Sequence, residues 1–241
     1  MIHIRKVAAV LALLSLGGLI VTTVETGLSG PDRFASAMRL LLVPIVLTAI
    51  GLIREVAWAR WVALGAAVAV LPWSGVLVAT PQIAVGAPEV ALTASITLLV
   101  ALSGRSMAER FEGATARSDL SPRRVALLGW TVACNVASIL VLYLFVSAYD
   151  YRVGWHVAVT GGLMLGLIVS VVALTRGKTA GILGVAVSCL LLVPVGAAFI
   201  AEEAAHTGEA MLLVGAFLPG IITAAACVSV FGGPMWKILR G

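Results

Sequence analysis

The sequence predicts an all-α fold, a polytopic membrane bundle of about eight transmembrane helices with both termini in the cytoplasm. Three observations predict it. Of the 241 residues, 61% are hydrophobic and only 11% are charged, where a soluble domain carries about a quarter charged residues. The apolar residues gather in runs of about twenty, the length a helix needs to cross ~30 Å of hydrocarbon. The basic residues fall on one side of the resulting spans. Backbone groups in lipid must be satisfied inside a helix or a closed barrel, and the short alternating segments of a barrel are not visible.

The expected spans are 7–24, 36–53, 61–80, 88–104, 125–147, 155–175, 179–200 and 210–231. The first follows Arg5 and Lys6 and imitates a secretory signal. Its exit offers only Gly27-x-Ser29 as a cleavage pair, so a retained span is expected. The second and third hold Pro44 and Pro72. The fourth is short and follows the stretch TPQIAVGAP; Pro88 suits the first turn of a helix, where its missing N–H costs nothing. The polar segment 105–124 is expected to be a solvated loop, with Met107 and Phe111 four apart and able to touch the membrane surface. Ser121 and Pro122 open the fifth span as cap and first helical residue. The seventh and eighth hold Pro194 and Pro219.

Orientation follows from Lys and Arg, which are retained in cytoplasmic loops. One side of the eight-span arrangement carries Arg5, Lys6, Arg54, Arg60, Arg105, Arg110, Arg117, Arg123, Arg124, Arg176, Lys178, Lys237 and Arg240. The other carries Arg33, Arg39 and Arg152. Both termini are therefore expected in the cytoplasm of a bacterial-type plasma membrane. The net charge of +5 speaks for topology and anionic lipid, not nucleic acid. Cys134, Cys189 and Cys227 lie within apolar runs and form no zinc or redox motif.

The two halves are alike. Arg54 and Pro72 in LIREVAWARWVALGAAVAVLPWSG match Arg176 and Pro194 in LTRGKTAGILGVAVSCLLLVPVGA at one constant offset. The expected organisation is a four-helix unit at 1–104, a cytoplasmic linker at 105–124 and a second unit at 125–241, in parallel orientation.

Chemistry is sparse. No Asp, Glu, Lys or His is expected near the centre of a span, where ionisable groups are costly and usually functional. This disfavours proton-coupled transport, haem ligation and intramembrane proteolysis, and no cofactor is expected. Candidate pathway residues are Pro72 and Pro194, whose breaks can expose carbonyls, together with Asn135 and Arg39. The ordinary uses of these residues are kinks for packing, a hydrogen bond across a helix pair, and a snorkelling arginine. Thr93 and Thr97 share one face of the fourth span. Trp58, Trp61 and Trp155 fall at span edges, as interfacial anchors do. Gly162-x-x-x-Gly166 and Ala180-x-x-x-Gly184 allow close helix approach.

The segment AEEAAHTGEA (201–210) is the one acidic cluster with a histidine. Glu202, His206 and Glu209 share a helical face and could ligate a divalent metal or sense pH; the ordinary alternative is a solvated loop. A metal would need a further ligand, such as Glu89, Asp150 or His156. The leading expectation is a non-catalytic subunit or scaffold that packs with lipid and other membrane proteins. The alternatives are a carrier of a small neutral or lipid-like solute with its site between the halves, and an outer-face metal or pH sensor.

Overall fold

The computed structural model describes residues 2–26, 32–79, 86–112, 122–148, 154–176 and 179–207, with a few separate positions between 218 and 232. The described elements are helical: α1 (Ile2–Glu25), α2 (Asp32–Leu40), α3 (Leu42–Ile53), α4 (Ala57–Ala79), α5 (Ala87–Leu102), α6 (Arg105–Glu112), α7 (Pro122–Ala148), α8 (Trp155–Thr175) and α9 (Thr179–Thr207). A helix therefore stands at each of the first seven expected spans. The eighth lies largely outside the described residues.

Among the described residues, five helical stretches are long and apolar enough to cross a membrane: α1, Phe34–Ile53, Ala126–Leu144, α8 and Ala180–His206. The count is six if the bent pair α5–α6 forms one span. The chain is an all-α integral membrane protein. Large apolar side chains point outward along α1, α3, α8 and α9, as they do where the surrounding solvent is hydrocarbon.

Proline explains the break between α2 and α3. Pro44 has no N–H to donate, and its ring clashes with the carbonyl four residues back, that of Leu40. The helix stops at Leu40, turns at Leu41 and restarts at Leu42. Pro72 and Pro194 lie inside α4 and α9 without ending either helix.

One apolar core joins α1, α3, α4, α5 and α6, with Leu13, Leu52, Leu64, Leu98 and Phe111 at its centre. A second joins α7, α8 and α9 around Leu142, Leu192 and Phe199. The α4–α7 contact links them, through Trp61 packed with Leu128, Val132 and Cys189. At this seam Gly65 is required. A Cβ there would lie 2.6 Å from the Ala133 carbonyl oxygen and 2.7 Å from Val136 Cβ. The two backbones meet too closely for any side chain.

Three expectations are corrected. The segment 105–112 is not a solvated loop. It forms α6, bent 77° from α5, and buries Met107 and Phe111 in the bundle rather than in the membrane surface. Trp61 is not an interfacial anchor; at 2% exposure it belongs to the core. The stretch 201–207 is not a loop, since α9 continues through Thr207.

At the end of the bundle that carries Arg5 and Lys6, charges tie the helices together. Glu55 turns the chain from α3 to α4 with φ +60. Its Oε1 accepts from Lys6 Nζ at 2.8 Å and from an Arg110 guanidinium nitrogen at 2.6 Å. Those two cations pull the Glu55 carboxyl down to about 2, Arg110 contributing most. Two arginines finish α5. Arg5 donates to the carbonyls of Val100 and Ser103, and Arg60, only 3% exposed, donates from Nε to that of Leu102 at 2.9 Å. The last carbonyls of a helix lack partners within the helix and carry partial negative charge, so they attract cations.

Candidate functional site at the end of α8 and α9

Because α9 runs on as a helix, Glu202 and Glu203 project from its final two turns. Trp155 and His156 begin α8, which packs alongside α9. This brings His156 Nε2 into contact with a Glu202 carboxylate oxygen. The imidazole is 4% exposed, stacked against Trp155 and edge-on to Phe199 at 5.0 Å. Glu202 keeps a partly exposed side chain. Among the described residues, His156 Nδ1 and the Thr160 hydroxyl one turn further on are buried without hydrogen-bond partners. Glu203 is buried at 5% exposure.

A carboxylate on one ring nitrogen orients a histidine. With the proton on Nε2, the ring donates to Glu202 and Nδ1 is an acceptor; a second proton turns Nδ1 into a donor. The arrangement is an oriented His–carboxylate pair with an aromatic wall, suited to holding or releasing a proton.

The candidate metal ligands are placed as follows. His206 is exposed, and its Nδ1 lies 2.9 Å from the Glu202 backbone oxygen rather than its carboxylate. Glu209 lies outside the described residues. Among the described residues, no group of three or more His, Cys, Asp or Glu is arranged to hold a metal ion. The partner that Glu202 does find, His156, is 46 residues away.

The four candidate pathway residues are not brought together. Pro72, Pro194 and Arg39 are exposed on the outside of the bundle. Asn135 is fully buried in the α7–α9 contact, where it donates to Cys189 Sγ and lies 3.4 Å from the Ser188 hydroxyl. A buried amide satisfied across a helix pair is a packing device, worth about 0.6–2 kcal/mol in a membrane. The α4–α7 seam between the halves is close packed at Gly65.

Glu89 stands at the head of α5, where the start of the fourth span was expected, and it is exposed. Its Oε2 accepts the Gly86 N–H at 2.9 Å and closes the first turn of the helix, which is the ordinary use of a glutamate at that position.

Fold and site together define an all-α integral membrane protein with an oriented His–Glu pair at one end. Compared with protein-family models, with curated proteins and with solved structures, the chain matches none.

Proposed function

We propose that this protein is a non-catalytic subunit or scaffold of a plasma membrane, packing laterally against other membrane proteins or a second copy of itself. Its basic end, with both termini, faces the cytoplasm, in keeping with the retention of Lys and Arg on that side. Two four-helix units, 1–104 and 125–241, form the body, and 105–124 joins them.

The observation that carries this reading is the outward face of α8. Gly161, Gly162 and Gly166 are exposed, and a Cβ at any of them would meet nothing within 4 Å. Leu165 and Val169 flank them at 65% and 67% exposure. Small residues on a lipid-facing helix let a second helix approach closely. Asn135 supports the reading too, because its amide is satisfied inside the chain and leaves no polar pathway there.

The test is photo-crosslinking in native membranes from a benzoylphenylalanine placed at Leu165. A single defined adduct is expected, and Gly162→Phe should abolish it by holding the helices apart. Crosslinking to lipid alone, with the purified protein a monomer in mild detergent, would remove the proposal.

The His156–Glu202 contact favours a second reading, a proton-sensing element at the outer face. Trp155 stacks on the imidazole and reports on it. Its fluorescence should step on acidification of the outer face, and His156→Gln should remove the step. A step that survives in that variant would exclude His156 as the sensor.

A further inference from the structure

The α4–α7 seam joins two unlike stripes. α4 brings Trp61, Gly65 and Ala69, and α7 brings Leu128, Val132, Ala133 and Val136. Position rises along both helices together, so they run parallel.

Each stripe has a counterpart in the other half. The offset that takes Arg54 to Arg176 and Pro72 to Pro194 takes Trp61, Gly65 and Ala69 to Leu183, Val187 and Leu191 of α9. Arg5, Lys6, Val7 and Ala8 match Arg123, Arg124, Val125 and Ala126. That match takes Val132, Ala133 and Val136 back to Leu14, Ser15 and Gly18 of α1. A packing detail supports the likeness of the halves. A Cβ on Gly51 of α3 would lie 2.6 Å from that of Ala59 on α4. At the matching pair, a Cβ on Gly181 of α9 would lie 2.9 Å from the backbone carbonyl carbon of Ala173 on α8. The glycine has changed sides and the close approach has stayed.

The counterpart stripes are open. Leu183, Val187 and Leu191 are exposed on α9, as are Leu14, Ser15 and Gly18 on α1. Within the chain α9 packs on α7 and α8, and α1 packs on α2, α3 and α5; the two are not packed together. Their shapes also complement one another. In the seam, Gly65 makes room for Val136. At the matching positions the sizes are exchanged. Val187 projects from α9 at 46% exposure, and Gly18 leaves a gap on α1 where a Cβ would meet nothing within 4 Å. Ser15 donates back to the Leu11 carbonyl at 2.9 Å, so its hydroxyl needs no partner across the contact.

We propose that a second copy of this chain docks here, with α1 of one copy against α9 of the other. The contact repeats between chains the seam that joins the halves within each chain. It is heterologous, so it either closes into a ring or runs on as a filament. Two copies close the smallest ring, with two α1–α9 contacts and four four-helix units around an axis parallel to the helices. This partner rests on the subunit reading and on the likeness of the halves, and it uses a different helix face from Leu165 of α8.

Disulfide crosslinking in native membranes tests the contact. Two differently tagged full-length chains, one with Gly18→Cys and the other with Val187→Cys, are co-expressed and oxidised with copper phenanthroline. A disulfide joining the two tags is expected, and neither variant expressed alone should crosslink more than the parent. A chain carrying both substitutions should give a closed dimer. Gly18→Val should fill the gap and reduce the dimer in mild detergent at least about tenfold, as overpacking does. Adding Val187→Gly should restore it, because that pair copies Val136 and Gly65. Tags that stay unjoined, a disulfide between two copies of one variant, a ladder in place of the dimer, or no rescue by Val187→Gly would each overturn the proposal. Unjoined tags alongside a persisting Leu165 adduct would overturn the α1–α9 contact and leave the subunit reading standing; loss of both would remove the two together.

Discussion

Glu55 adopts a backbone conformation that favours glycine, at a cost of roughly 1–2 kcal/mol for an L-residue. What holds it there is its carboxylate, which joins Lys6 of α1 to Arg110 of α6. Its carboxyl is lowered from 4.5 to about 2. A carboxyl lowered on folding adds stability that is fully present above its unfolded value and is lost as pH falls through the folded one. Thermal unfolding in detergent should therefore show stability declining from about pH 4.5 toward about 2. Glu55→Gln should be less stable at pH 7 and should lose this part of the acid dependence. Little of this was legible beforehand. Lys6, Glu55 and Arg110 lie in three separate segments, and no local pattern announces a contact between residues 49 or 55 positions apart.

Helices were more legible than their surroundings. A run of about twenty apolar residues has one stable form in lipid, so a helix stands at each of the first seven expected stretches, although α9 runs seven residues past the expected end at 200. Which side of each faces inward could not be read, because the core and the lipid both select apolar side chains. Trp61 therefore passed for an interfacial anchor. The α6 segment misled for the opposite reason. It is polar on most of its surface, and its Met107–Phe111 pair spans only one turn. Phe111 is 1% exposed inside the first core, and Phe111→Ala should cost about 3–5 kcal/mol, as Phe truncation in a packed core does. Unfolding of the purified protein would measure this, and limited proteolysis should then cut within 105–112, where the parent resists.

For the molecule as a whole, composition alone was enough for the class, and the α4–α7 seam accounts for much of what composition could not give. Gly65 lets the two backbones touch, and Asn135 and Trp61 bury themselves nearby. Gly65→Leu should push the seam apart and destabilise the protein by about 1–3 kcal/mol or more, the usual penalty of overpacking. Differential scanning of the detergent-solubilised protein would show it as a lower melting temperature. Glycine in an Ala-rich span is too common to mark such a seam by itself. The acid cluster at 201–210 also gained its meaning from tertiary structure, since His156 is the residue that gives Glu202 a role.

The arginine clasp on α5 also bears on how the chain is made. Arg5 and Arg60 are synthesised before the helix whose end they hold. Residues 86–104 include a carboxylate and only 16 helical residues, a poor substrate for insertion when presented alone. The earlier helices therefore serve as a built-in guide, retaining a late segment that the bilayer would otherwise reject. A glycosylation-mapping assay should find 86–104 inserted efficiently when the chain begins at Met1. It should insert poorly when residues 1–31 are deleted or when Arg5 and Arg60 are both replaced by Ala.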